Sequence, residues 1–401
     1  MITNYLWPGA RQPNGGGWPG AIAPLYVPTA PYLSGYFKRM PIRYGDRLPN
    51  SDLVDFPKLI SLSTNTNLAT EHATVAALTI AFTLADGVTV VPFGNYPTSD
   101  YSIGKVLSRV KFPTLSASAS PGDILGYLYY KGEGVLDLED KAGAVSNGYI
   151  VFMPLEENPG ASAPQMVDWT SGAHHGTCNG GMDSGDSVNT RVGNGLNFDR
   201  TANQSVDIPH HVDFNNDEIT VEATINALAA NTPIGIIDRD DGTSRAFQFR
   251  RDGTGELRFI AFDTGGNTQA VGTTEIADGL DHYVAGRYDS GGVASVIVDG
   301  VVQDTTAGTP PMTDPVFGCR IAIADNLSDE WHGIIDEVRV SNIGRSDAWL
   351  QYAYEDDLNN ARTFTLGPEE TGGASSILRS IIGFLTGGNM SKYGVFTGGR
   401  L

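Results

Sequence analysis

The chain is written as short apolar runs broken at Asp-Gly and other glycine turns, and this rhythm restricts it more than any other feature. PKLISLS, ALTIAFTL, VTVVPF, KVLSRVKF and ILGYLYY occupy the first half, and EITVEATI, RAFQFRR, GELRFIAF, HYVAGRY, ASVIVDGVV, RIAIA and IIDEVRVS follow. Each is too short for a stable helix and rich in Val, Ile, Phe and Tyr, the composition of strands. Asp86-Gly87, Asp241-Gly242, Asp252-Gly253, Asp278-Gly279 and Asp299-Gly300 stand between or beside these runs, and the 49 glycines fit many tight turns. None of the runs sustains a 3.6-residue period, so few helices are expected. The expectation is an all-β chain.

At 401 residues a single core is stretched. The organisation predicted is two β-sandwich or jelly-roll domains, 37–146 and 147–367, with an extended arm over 1–36 and a tail over 368–401. The arm interleaves Trp7, Trp18, Tyr26 and Tyr32 with prolines, which bars an inner strand, while so many aromatics are costly to leave in water. It is expected either to wrap its own body or to dock on a partner through Trp7, Trp18, Arg11, Tyr26 and Tyr32. The tail carries Ile377, Leu378, Ile381, Ile382 and Leu385 on one helical face, which needs a partner surface, from its own sandwich or a second subunit.

A formal charge of −20 argues against nucleic acid and anionic membrane as partners. Residues 1–50 run the other way, with Arg11, Lys38, Arg39, Arg43 and Arg47 against Asp46, and could meet an acidic surface. The first residues lack the basic and apolar regions of a secretory leader, and no stretch reaches the roughly 18 apolar residues that span a bilayer. Cys178 and Cys319 could form one bridge if the fold brings them together.

YIVFMPLEE, DWTSGAHHGT, GNGLNFDR, VDIPHHVDFNNDEITVEATI, HYVAGRYDSGGVASVIVDG and WHGIIDEVRVSNIGRSDAWLQYAYED, taken in order, resemble the landmarks of laminin-G-like domains of the concanavalin superfamily. The most specific part is Gly333 to Arg339, followed by Ser346, Trp349 and Tyr354. Upstream, DFPKLISL, ADGVTVVPF and GYLYYKGEG resemble a domain of uncharacterised function found before such domains in surface proteins, although Tyr129-Tyr130-Lys131-Gly132 is one residue longer than the usual ending. The two ends are similar to the docking tails of bacteriophage virion proteins.

Chemistry is sparse. Retaining glucanases of the concanavalin fold set two carboxylates about 5–5.5 Å apart on one strand face. Here Asp336 and Glu337 are neighbours, expected to point to opposite sides, and no Glu-x-Asp-x-x-Glu occurs. His174-His175 and His210-His211 are the obvious imidazoles for a metal, but adjacent histidines diverge and neither pair has partners at zinc spacing. Gly-x-Ser-x-Gly and a phosphate-binding glycine loop are absent. The resemblance implies a calcium ion near Asp168, Asp199 and Asp336. Aromatic stacking on a sugar, with polar groups on its hydroxyls, points to Trp331, Tyr288 and Arg287. The resulting expectation is a non-catalytic virion surface protein of a bacteriophage, a capsid decoration or tail receptor-binding component. It would contact capsid or tail proteins, copies of itself or host glycan. A cellular carbohydrate-binding adhesin and a glycan depolymerase are the rivals.

Overall fold

The computed structural model describes residues 31–372, except 75–78, 133–134, 229–233 and 325–328. Trp7, Arg11, Trp18, Tyr26 and the apolar stripe of the tail lie outside those residues. The chain is all-β. Its first unit contains β1 (Tyr36–Tyr44), β2 (Leu53–Leu62), β3 (Ala81–Leu84), β4 (Phe93–Asn95), β5 (Val106–Leu115) and β6 (Ile124–Gly132), with a short helix α1 (Thr66–His72). Strands β1, β6 and β3 form one sheet, β2, β5 and β4 the other. Phe112 of β5 reaches the first sheet at Gly126 of β6, where an added Cβ would fall 2.9 Å from its ring.

After α2 (Lys141–Ala144) the second unit runs through β7 (Tyr149–Met153), β8 (Thr177–Asn179), β9 (Ser187–Asn189), β10 (Asn194–Phe198), β11 (Ser205–Ile208), β12 (Ile219–Ala227), β13 (Ile234–Asp240), β14 (Arg245–Arg251), β15 (Glu256–Asp263), β16 (Gly266–Glu275), β17 (Asp281–Tyr288), β18 (Val293–Val298), β19 (Val301–Ala307), β20 (Cys319–Ile321), β21 (Ile323–Ala324), β22 (Asp329–Glu330) and β23 (Gly333–Ser341). The order β19-β18-β17-β12-β23-β10-β9, with β7 also on β23, makes one sheet, and β16-β15-β14-β13-β20-β11-β8 the opposing one. Asp299-Gly300 closes β18 on β19 with both residues in the left-handed region, φ 51° and 73°, as a two-residue hairpin of this twist requires.

Strand β12 shows how the sandwich is specified. Ile219, Val221, Ala223, Ile225 and Ala227 alternate into the core between the two sheets. The residues between them are polar, and Thr220 and Glu222 are nevertheless fully buried. The first unit is the reason. Tyr149, Phe152, Tyr283, Ala285 and Ile297, on the outer side of this sheet, share one apolar cluster with Phe56 and Leu107 of the first unit.

Helix α3 (Asp347–Leu358) joins that cluster. Ser346 caps it by accepting from the Trp349 amide at 3.2 Å, and Trp349 and Tyr352 pack on Phe56 with ring centroids 4.7 and 5.3 Å away. Beyond α4 (Asn360–Thr363) the chain returns to the first unit: β24 (Phe364–Leu366) and β25 (Glu370–Thr371) pair antiparallel with β1.

Charge is buried along this seam. Arg109 of β5 donates to Tyr96 Oη (2.8 Å), Asp357 Oδ1 (2.7 Å) and Glu337, while Arg339 donates to Glu337 and to Asp357 Oδ2 (2.7 Å). Tyr283 donates to Glu222 at 2.7 Å, and Lys58 pairs with Asp356. Burial pushes the Asp357 carboxyl up, but the Arg109 and Arg339 guanidinia outweigh it and hold it below the ordinary value. Carboxylates near a helix C-terminus oppose its dipole, so α3 depends on these cations for its position.

Two expectations change here. Among the described residues, the cations Lys38, Arg39, Arg43 and Arg47 are not a free docking charge. Lys38 pairs with Glu369, Arg39 is buried against Glu370, Arg47 lies 3.2 Å from Glu355, and Arg43 donates to the Gly122 carbonyl. Tyr32 likewise lies on its own body, 5.7 Å from the Tyr129 ring with the Arg39 guanidinium 4.2 Å from its centroid. Cys178 and Cys319 are free thiols, for they sit on β8 and β20 with β11 between them. Strands two apart are separated by nearly 10 Å, too far for a bridge.

Candidate functional site

Because the first unit covers the outer side of the β12–β17–β23 sheet, the free broad face of the second sandwich is the outer side of the sheet running from β16 to β8. Its strands supply a polar row across that face. Thr177, Asp207 and Arg320 are successive cross-strand neighbours on β8, β11 and β20, and the next in line, Asp238 on β13, is fully buried. At the β8–β11–β20 end the face sinks into a hollow of about 380 Å³, lined by Thr177, Asp207, Ile208, Pro209, His210, Phe317, Gly318, Cys319 and Arg320. Alternation puts Ile208 and Cys319 in the buried floor and leaves Asp207 and Arg320 standing up from it.

Phe317 is half-buried at the lip. The Arg320 guanidinium sits 4.4 Å from its ring centroid, and Arg320 Nε lies 3.8 Å from Asp207 Oδ1. The Phe317 carbonyl accepts from Arg239 Nε at 3.0 Å and lies 3.2 Å from His210 Nδ1, which fixes the loop carrying the ring. Val316 beside it is 88% exposed. Burial pushes the Cys319 thiol up to about 12, so the floor offers no nucleophile. The hollow can present one aromatic ring, a cation, a carboxylate and an imidazole to a polar ligand.

The ligand residues expected from the sequence lie elsewhere. Trp331 and Tyr288 are both fully buried in the sandwich core, and Tyr288 donates to Asp263 Oδ2 at 2.9 Å, so neither ring is open to a sugar. Both sit at inward positions. Arg287 donates to the Arg345 carbonyl and to Asp347 Oδ1, each at 2.7 Å, and thereby ties β17 to the start of α3.

The aspartates implied for calcium do not converge. Asp168 accepts from the amides of Phe152, Thr170 and His174 and from Thr170 Oγ1, and is a turn anchor. Asp199 caps the short turn at Thr201. Asp336 is buried, accepting from Thr190 Oγ1 at 2.6 Å and from the Glu337 amide. Among the described residues, the one group of three ligand atoms lying within 4.8 Å of one another is His174, His211 and Asp213. Asp168, Asp199 and Asp336 do not fit an ion between them.

Asp336 and Glu337 also differ from expectation. Three steps along β23, from Asp336 to Arg339, face two steps along β12, and Glu337 takes φ 53°. This bulge sends both Ile335 and Val338 into the core, so the two acids between them leave on the same side. Both side chains are buried. Burial, and then the Glu337 charge, push the Asp336 carboxyl well up, and Glu337 is enclosed by Arg109, Arg339 and Tyr96 under the first unit.

Comparison with known proteins bears on this sandwich. Residues 200–351 match the family model of the concanavalin A-like lectin/glucanases superfamily. No curated protein matches the chain. Solved structures similar to it include the binding domain of Paraclostridial Mosquitocidal Protein 1 (8% identity, TM-score 0.41, 52% of each chain). They also include the binding domain of botulinum neurotoxin DC in complex with SialylT (10%, TM-score 0.39, 52% of this chain and 51% of that one). The chain spans about half the length of these structures.

Proposed function

We propose that this is a non-catalytic carbohydrate-binding protein whose ligand lies across the hollow at the β8–β11–β20 end of the free face. The observation that carries the reading is the grouping of Phe317, Arg320, Asp207 and His210 on the one broad face of the second sandwich that the first unit leaves open. An aromatic ring beside charged and hydrogen-bonding groups suits a sugar, whose C–H face stacks while its hydroxyls are bound. The lectin/glucanase family match over 200–351 supports it. The non-catalytic part is supported by the burial of both Asp336 and Glu337 and by the enclosure of Glu337 by Tyr96, Arg109 and Arg339. The setting we propose is a bacteriophage particle surface, with residues 1–30 docking on capsid or tail; its support is the proline- and aromatic-rich composition of that segment.

A glycan array probed with the wild-type chain and with the F317A and R320A variants tests the binding reading. Selective glycan binding that both variants weaken is the expected result. Binding that both variants leave intact would move the site off this face, and new reducing ends released from the bound glycan would replace binding by depolymerisation.

A further inference from the structure

The histidine pairs do diverge, but one member of each meets the other across the end of the sandwich. His174 comes from the turn before β8, and His211 and Asp213 from the turn after β11. Asp213 Oδ2 lies 3.0 Å from His174 Nε2 and 3.1 Å from His211 Nδ1, and the imidazole centroids are 4.7 Å apart. The geometry points to a site for a divalent first-row transition metal, Zn²⁺ by chemistry, held by His174 Nε2, His211 Nδ1 and Asp213 Oδ2.

Three features carry this assignment. Donor atoms bound to one such ion at about 2.0–2.1 Å stand roughly 2.9 Å apart at right angles and about 3.4 Å apart tetrahedrally, and the two observed separations fall between these. Two imidazoles and one carboxylate are the ligands of zinc and its neighbours rather than of calcium, which takes oxygen. The scaffold is already fixed: Asp168 accepts from the His174 amide at 2.8 Å, and Arg239 donates to the Phe214 carbonyl at 2.7 Å and to Asn215 Oδ1 at 2.8 Å. His174 is buried against Phe214, whereas His211 and Asp213 are partly exposed, so the remaining coordination positions face solvent. The Asp213 amide donates to His211 Nδ1 at 3.3 Å, a long contact that the ion would replace.

The test is calorimetric titration of Zn²⁺ into the full-length, tag-free, chelator-treated chain, with Co²⁺ followed in parallel by its visible absorption. The expected result is one saturable site per chain of micromolar affinity or tighter. H211N keeps a side chain able to cap the turn, and D213N keeps the shape of the acid. Each is expected to weaken binding at least tenfold, as loss of a direct ligand should when loss of an outer-shell partner already costs about 10–100-fold. The surface variant H72A should bind as wild type. No saturable binding by the wild-type chain would overturn the assignment, and so would binding that H211N and D213N, folded by circular dichroism, leave unchanged.

Discussion

Replacing Arg109 by Met tests whether the seam welds the two sandwiches into one unit. The guanidinium is fully buried and contacts Glu337, Asp357 and Tyr96, and Arg339 is the other cation on those two carboxylates. Methionine fills similar space but leaves Glu337 and Asp357 sharing Arg339. Removing one partner of a buried ionic network typically costs about 3–5 kcal/mol, a large share of the roughly 5–15 kcal/mol that holds a protein folded. Urea unfolding should then shift its midpoint down by on the order of 1 M, taking a slope of a few kcal/mol per molar. Trp169 and Trp349 lie in the seam and Trp331 in the second core, so fluorescence reports both regions and circular dichroism reports both sandwiches. Wild type should give one shared transition. A loss below about 1 kcal/mol, with the transition intact, would mean that Arg109 does not hold the two sandwiches together, because exposed pairs cost that little.

Other expectations follow from single positions. At Gly286 an added Cβ would lie 2.3 Å from the Phe259 ring, so G286A should cost about 1–3 kcal/mol in denaturant unfolding; a neutral change would mean the core is looser than described. Burial pushes the Glu156 carboxyl from 4.5 up to about 7, against hydrogen bonds from Thr98 and Asn194. The folded protein therefore holds a proton that the unfolded chain releases, and stability falls as pH rises from about 4.5 through 7, by up to roughly 3 kcal/mol. E156Q should flatten the difference between denaturation midpoints at pH 5 and pH 8, and an unchanged slope would count against this assignment. S346A should lose about 1 kcal/mol by removing the α3 cap, read by thermal unfolding.

Local pattern made much of this fold legible. The alternation in ITVEATINA and the Asp299-Gly300 turn lead directly to β12 and to the β18–β19 hairpin. What alternation could not convey is what covers the polar side. Glu222 reads as solvent-facing and is buried, because its partners Tyr283 and Arg339 come from flanking strands far away in sequence and its cover comes from the first unit. The bulge at Glu337 is equally silent in sequence, since one left-handed residue moves two acids to one side. Trp331 and Tyr288 stand out in the sequence as aromatics, yet aromatics fill cores more often than clefts. The hollow left a fainter signal: Asp207 between Val206 and Ile208, and Arg320 between Cys319 and Ile321, are polar residues in apolar strands. Pairing β11 with β20, more than a hundred residues apart, is what brings them together.

The most direct test of the account is to locate bound glycan by hydrogen–deuterium exchange of the full chain with the best array ligand. Protection is expected over 205–210 and 315–321, and F317A, which removes the stacking ring, should weaken affinity by about tenfold. Protection confined to other surfaces, with F317A binding as wild type, would contradict the assignment of the free face as the binding site.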